Sequence, residues 1–224
     1  MRFSWVVFVS LVIATGFTSA QPEAPDIQPR VRGLELFRQG SLREAIPALQ
    51  QSLQSNPADA EVRLRLAFAY DRLGSAEEAL AEYRRVTELQ PNSYFAHNNL
   101  GVLYDKQGRY DEAIAAFESA GRIDSTNVGA KINLATARKN KALVQERDAQ
   151  IQKAEHAATI NPQDPQVSFN AARIHAHYGN RAEALEWLSR ARQQGYKDLA
   201  SVKNDPSFKN FSNDRDFELI LIGK

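Results

Sequence analysis

Cysteine is absent from the 224 residues. That excludes disulfides, cysteine-based zinc sites, cysteine nucleophiles and a lipid-modified N-terminal cysteine. A surplus of one charge sign is also missing, since 28 Lys and Arg stand against 27 Asp and Glu. The basic excess of a nucleic-acid binder is therefore not there, and no nucleic-acid partner is expected. No HExxH, GxSxG, Walker-type or GxGxxG string occurs. Of the four histidines, His97, His156, His175 and His177, the last two are two residues apart. They lie about 200° apart around a helix, so they diverge rather than chelate. Carboxylate pairs such as Glu77-Glu78 and Asp111-Glu112 sit at expected helix starts, where the helix dipole favours them. Hence no catalytic residue, no metal site and no cofactor is expected. Hydrophobic residues make up 43% and charged residues 25%, the balance of a soluble globular protein. A disordered chain, a collagen and a polytopic membrane protein are ruled out.

One long apolar run exists, over residues 3–17, behind Arg2 and ahead of Thr18-Ser19-Ala20. It is shorter than the ~20 residues that a helix needs to cross a bilayer. Residues 1–20 read as a signal peptide cut after Ala20. Its only methionine, Met1, would leave with it. Residues 21–25 read as a proline-containing linker. The mature protein is then expected to be exported, to the periplasm or the extracellular space. The rival is an uncleaved N-terminal anchor, the one case in which a membrane would be a partner.

The remainder repeats. Gly40, Gly74 and Gly108 are spaced by 34 residues, as are Ala45, Ala79 and Ala113, and Gly33, Ala67, Gly101 and Ala135. Pro57 and Pro91 form a fourth series, and Gly179 and Ala184 follow after one longer unit. The small residues Gly33, Ala67, Gly101, Ala135 and Ala172 fall mid-way along a first helix, where a neighbour must come close. A turn glycine ends that helix in the left-handed conformation, so Gly74 and Gly108 should have positive φ. The second helix should open with capping boxes Ser41…Glu44, Ser75…Glu78 and Asn180…Glu183. It should bury one stripe each time: Ala45, Leu49, Ser52; Ala79, Tyr83, Val86; Ala113, Phe117, Ala120; Ala184, Leu188, Ala191. No stretch alternates with period two, so no sheet is expected.

This helix–turn–helix pattern resembles the tetratricopeptide repeat (TPR). Residues 94–127 carry it best, through Asn99-Leu100-Gly101, Tyr104, Gly108, Ala113, Phe117 and Ala120. The resemblance implies an all-α, right-handed superhelix (an α-solenoid) of about five repeats over 26–198: 26–59, 60–93, 94–127, a degenerate 128–164, and 165–198. In 128–164 the turn glycine is missing and three residues are inserted. Two longer helices with a break near Asn140 or Lys141 are expected there, one helix from about Ala130 to Ile160 being the rival. Residues 199–224 are not a repeat. Phe208, Phe211, Phe217 and Leu219 on short helices would form a C-terminal cap on the exposed end; the rival is that they dock a partner.

Family geometry places the first helices along an inner groove. One inner row would be Leu34, Phe68, Val102, Thr136 and Arg173, beside Arg38, Arg72, Lys106, Asn140 and His177. Arg30, Leu64, Phe95 and Asn98 would join them, with Glu61, Asp71 and Asp105 as the acidic members. The partner-binding residues singled out are Leu64, Phe68, Arg72, Phe95, Asn98, Val102, Lys106, Arg38, Arg173 and His177. They point to a non-enzymatic scaffold holding a protein or peptide with acidic and apolar groups. The cations of the chaperone-type carboxylate clamp are absent: Leu64 and Phe68, or Asn98 and Val102, stand at the first pair of clamp positions. The alternative is a membrane-anchored subunit of an envelope assembly or secretion machine. An ordinary solvated surface would carry the same residues.

Overall fold

A glycine in the left-handed region closes the first helix of every pair. Gly40, Gly74, Gly108 and Gly179 have φ of 80°, 86°, 73° and 76°, as expected at Gly74 and Gly108. Around Gly74 its own amide donates to the Asp71 carbonyl at 3.1 Å, and the Ser75 amide reaches back to Tyr70 at 2.9 Å. The pair of bonds satisfies two of the helix's last carbonyls. The computed structural model describes residues 28–223. The signal peptide and linker expected at 1–20 and 21–25 lie outside the described residues.

The described residues are helical, with no strand among them. α1 (Gln28–Arg38) pairs with α2 (Leu42–Ser55), and α3 (Ala60–Leu73) with α4 (Ala76–Leu89). α5 (Tyr94–Lys106) pairs with α6 (Tyr110–Ile123), and α8 (Pro165–His177) with α9 (Arg181–Gln193). Between α6 and α8 runs α7 (Val128–Ile160), and α10 (Leu199–Val202), a 3₁₀ segment (Pro206–Phe211) and α11 (Arg215–Ile222) end the chain. The chain forms two compact units, the first ending at Pro91 and the second starting at Asn92. Within each, helix pairs pack in series.

The buried stripes fall where the period puts them. Ala45, Leu49, Ala79, Tyr83, Val86, Ala113, Ala120, Ala184, Leu188 and Ala191 are fully buried, and Ser52 and Phe117 nearly so. In the first unit Leu34 joins Leu49, Leu53, Val62 and Leu66 in one core. That corrects its place in the inner row: α1 turns Leu34 under α2, and the side chain is spent on packing. Pro47 does not interrupt α2, which is continuous across it.

Two expectations fail. The capping boxes do not form: the side chains of Ser41, Ser75 and Asn180 make no capping bond. At Ser41 the Glu44 amide, which the hydroxyl would have accepted from, donates instead to the Ser41 carbonyl at 3.1 Å. Side-chain caps sit instead at the first helices, where Asp59, Ser93, Asn127 and Asp164 accept from Val62, Ala96, Ala130 and Gln166. Secondly, no break occurs near Asn140 or Lys141. Residues 128–160 are one helix of 33 residues, because the stretch 137–149 holds neither glycine nor proline and is rich in good helix formers. With no returning helix beside it, Ala135 is exposed, unlike Gly33, Ala67, Gly101 and Ala172, which are all buried.

Residues 199–223 pack on α8 and α9. Phe208, Phe211 and Phe217 are buried with Phe169, Leu185, Leu188 and Val202, and Leu219 is half-buried. Phe208 stacks between Phe169 and Phe217, at ring separations of 6.3 and 5.4 Å. Arg181, at the start of α9, clasps Asp214 through two bonds of 2.5 and 2.9 Å and reaches Asp216 at 2.7 Å. Asp214 also caps α11 by accepting from the Asp216 and Phe217 amides. The Arg181 guanidinium, above all, holds the Asp214 carboxyl below the usual aspartate range. A depressed carboxylate pKa adds stability above the unfolded value of about 3.9, and that stability is lost as pH falls through the lower folded value. Acid titration followed by Trp187 fluorescence should therefore show the tail loosening at the foot of the aspartate range. Asp214→Asn, which can still cap α11, should flatten that acid limb.

Candidate interaction surface

Periodicity sends one face of each first helix into the core and leaves the other to solvent. In the first unit that outer face belongs to α1 and α3. Arg30 is engaged there, donating to Asp59 at 2.8 Å and to Glu61 at 2.6 Å; the hydrogen bond to Asp59 leads in raising its pKa. Leu64 is half-buried. Phe68 is 38% exposed and meets Phe37 edge-on at 5.6 Å. The Arg65 guanidinium lies over the Phe37 ring, 5.4 Å from its centroid. Arg38 and Arg72 are exposed and make no ion pair among the described residues. The result is an aromatic pair next to cations able to attract a carboxylate. Phe37 and Arg65 were not singled out from sequence; Phe37 lies in a row beside the one containing Phe68, so no single series contains both.

In the second unit the face belongs to α5, α7 and α8. Phe95 is 65% exposed and Val102 half-buried, and Lys106 is exposed. Side-chain amides bridge the helices: Asn133 donates to Asn98 at 3.0 Å, and Asn140 to Asp105 at 3.1 Å. These bonds fix α5 against α7 and remove Asn98 and Asn140 from the set of unengaged groups. Thr136 turns its hydroxyl onto its own helix, donating to the Ile132 carbonyl at 2.9 Å. Further along, Arg173 pairs with Asp205 at 2.9 Å, so the non-repeat tail claims this inner-row cation. His177 is exposed and meets Tyr178 edge-on at 4.8 Å.

Between α7 and α8 lie two neighbouring concavities. One, of 480 Å³, is lined by α7 from Leu143 to Gln150 and by His177 and Tyr178. The other, of 400 Å³, is lined by Gln150, Asn170, Arg173, Ile174, His177 and Ser207. Gln150 and His177 border both, and with Arg147 they extend the predicted pair Arg173 and His177. Gln150 and Arg147 were not singled out because the expected break in 128–164 put them on a returning helix.

His175 diverges from His177 as its spacing demands. It is buried, with Nε2 3.2 Å from the Glu155 carboxylate but off the angle of a hydrogen bond, and Nδ1 3.4 Å from the Asn180 side-chain nitrogen. It ties α7, α8 and the following turn together. Among the described residues, no three His, Cys, Asp or Glu side chains gather as a metal ion would need. None of the described helices is long and apolar enough to cross a membrane.

Three family models of the tetratricopeptide repeat match the chain, at residues 36–99, 94–127 and 165–190. No curated protein matches it. Among solved structures, the first TPR of Spaghetti (RPAP3), bound to the HSP90 peptide SRMEEVD, is 21% identical. The match covers 51% of this chain and 90% of that one, with a TM-score of 0.49. A crystal structure of MamA is 21% identical over 75% of this chain and 96% of that one, with a TM-score of 0.47. The Arabidopsis OM64 TPR domain is 21% identical over 50% and 92%, with a TM-score of 0.47. The matched models span the helix pairs whose glycine turns and buried stripes are described above, and the chain belongs to the tetratricopeptide repeat family.

Proposed function

We propose that the chain is a non-enzymatic interaction scaffold, each unit holding a segment of a partner protein on the outer faces of its own first helices. The observation that carries this reading is Phe95, a large aromatic with 65% of its surface in water on a helix whose neighbours are packed. Phe68 is its counterpart in the first unit. Arg38 and Arg72 stand on the faces of α1 and α3 that carry Phe37 and Phe68, and Lys106 shares the outer face of α5 with Phe95 about 16 Å further along the helix, so an extended acidic segment with apolar side chains is the fitting partner. Charge would speed its encounter and apolar contact would slow its release. The α10–α11 tail serves as a cap that closes the last pair rather than as a docking site, its phenylalanines being occupied.

A crosslinking pull-down from the native source supplies the partner, and a titration against it tests each unit by itself. Phe68→Ala and Phe95→Ala should each speed dissociation, costing on the order of 1–3 kcal/mol where the residue is a hot spot. Arg72→Glu and Lys106→Glu should slow association and flatten its salt dependence. Partner binding unchanged in all four variants would remove the first-helix faces from consideration. The same reading places the protein outside the cytoplasm, supported by Arg2, the apolar run and Thr18-Ser19-Ala20. Intact mass from the native source decides this point: loss of residues 1–20 supports export, and their retention supports the anchored subunit.

A further inference from the structure

Neighbouring repeats are tied by a recurring side-chain contact. Gln50 donates to the Tyr70 hydroxyl at 2.8 Å, and Arg138 to the Glu118 carboxylate at 2.8 Å. Each tie joins a residue to the one 20 positions on. Shifted by the 37 residues of the longer repeat, Glu118 and Arg138 become Glu155 and His175. The contact is there too, with the Glu155 carboxylate 3.2 Å from Nε2 of His175. Tyr70 and Tyr104 hold the place of His175 in the second and third repeats. Histidine in their stead makes this the one tie of the series whose charge changes between about pH 5 and 8.

The joint it serves is thin. Of residues 138–160 only Ala158 is buried, and Glu155 lies one turn before it on the same side of α7. His175 is 2% exposed, and its Nε2 has no hydrogen-bond partner. Asn180 sets its side-chain nitrogen 3.4 Å from Nδ1, which leaves the hydrogen of the neutral ring on Nε2. A second proton makes both ring nitrogens donors. Asn180 can then turn its amide oxygen to Nδ1, and Glu155 can close on Nε2.

The surroundings favour that proton. The Glu155 side chain is 45% exposed, so its carboxylate keeps its charge in water. His175 sits in the last turn of α8, the end of a helix that favours a cation. Arg173 and His177, two residues to either side, diverge from it by about 200°, and Arg173 is held by Asp205. On α7, Lys153 and His156 are exposed and turned from Glu155 by about 200° and 100°. α9 meets α8 through Ala184, Leu185 and Leu188, and the tail meets it through Phe208. Burial is the opposing influence. We propose that His175 and Glu155 are a pH-sensitive latch, holding the second half of α7 against α8 while the ring is protonated and loosening it as the ring becomes neutral. The stability it adds is fully present below the free-histidine value of about 6.5 and is lost as pH rises through the value in the folded chain. Below about 4.3 the carboxylate takes up a proton and the latch opens again. The two concavities between α7 and α8 are bordered by the same helices, so their opening follows the latch.

Hydrogen exchange of the full chain at about pH 5.5 and about pH 8, corrected for the intrinsic rate, reads the joint through peptides from 142–160. Their protection should fall on the order of tenfold from the lower pH to the higher, while that of α3 and α4 stays. Glu155→Gln should abolish the fall. Glu155→Gln together with His175→Tyr, which rebuilds the Gln50–Tyr70 tie, should give the same protection at both pH values. Where tyrosine does not fit, Glu155→Gln decides alone. Equal protection at the two pH values in the wild-type chain overturns the proposal. So does protection that rises with pH, or a fall that persists in Glu155→Gln.

Discussion

Phe208→Ala should destabilise the second unit by about 3–5 kcal/mol, the cost of emptying a large aromatic site from a packed core. For a chain of this size that lowers the melting temperature by roughly 10 °C. Phe208 is 1% exposed and touches three rings, stacked on Phe169 and Phe217 and edge-on to Phe211 at 5.6 Å. Each such pair contributes about 0.5–1.5 kcal/mol beyond area burial, and no neighbour can rotate into the space without leaving its own contact. The 3₁₀ segment that holds Phe208 is only six residues long, and this ring is its largest anchor beside Phe211 and the Arg173–Asp205 pair. Loss of the ring should also release Trp187, which packs against the same cluster, and its fluorescence should report the change. The result separates two roles for the tail. A phenylalanine that waits in solvent for a partner can be cut to alanine without moving the melting temperature, and one that roofs the last helix pair cannot.

Much of this was legible because a period of 34 residues places every buried stripe before any contact is known. Ala79, Tyr83 and Val86 repeat the spacing of Ala45, Leu49 and Ser52, and all are buried. The turn glycines were legible for a different reason, since only the left-handed conformation lets the Ser75 amide reach the Tyr70 carbonyl. Where the series lapses, analogy with the neighbours misleads. Residues 137–149 lack any breaker, and local helix propensity carried α7 straight through the expected break. The serine and asparagine caps were misread because side-chain type was counted without backbone geometry; at Ser41 the Glu44 amide goes to the backbone carbonyl instead of the hydroxyl. Asp59, Ser93, Asn127 and Asp164 recur at 34, 34 and 37 residues, so the true caps stood in the sequence as a fifth series. The candidate surface was legible by row but not by pairing. Arg173 looked like a groove cation, yet Asp205 holds it from outside the repeats. Phe37 lies in a row beside that of Phe68, and nothing in a single series marks the contact between them.

Gly101→Val should cost about 3 kcal/mol or more, the upper end of what overpacking a core exacts. Gly101 is in the middle of α5 and has ordinary helical backbone, so the penalty comes from space and not from φ. A Cβ at this position would lie 2.6 Å from both Cδ1 and Cε1 of Phe117 and 2.8 Å from its Cζ, well inside van der Waals contact. Phe117 is 2% exposed, and its α6 neighbours Ala113, Ala116 and Ala120 are buried with it, so the ring has nowhere to swing. α5 must then lift from α6, and that movement carries the outer face along. Asn98 would be drawn from its 3.0 Å bond to Asn133, and Phe95, Val102 and Lys106 would shift as one rigid row. Thermal unfolding checks the first consequence. The second is checked by the partner titration at a temperature where the variant is still folded. Binding should weaken even though Gly101 itself, buried under α6, touches no ligand. Gly101→Ala should fall between the two, since its single methyl meets the ring but adds no second branch. A valine variant that melts like wild type would mean that α5 and α6 are not packed this closely.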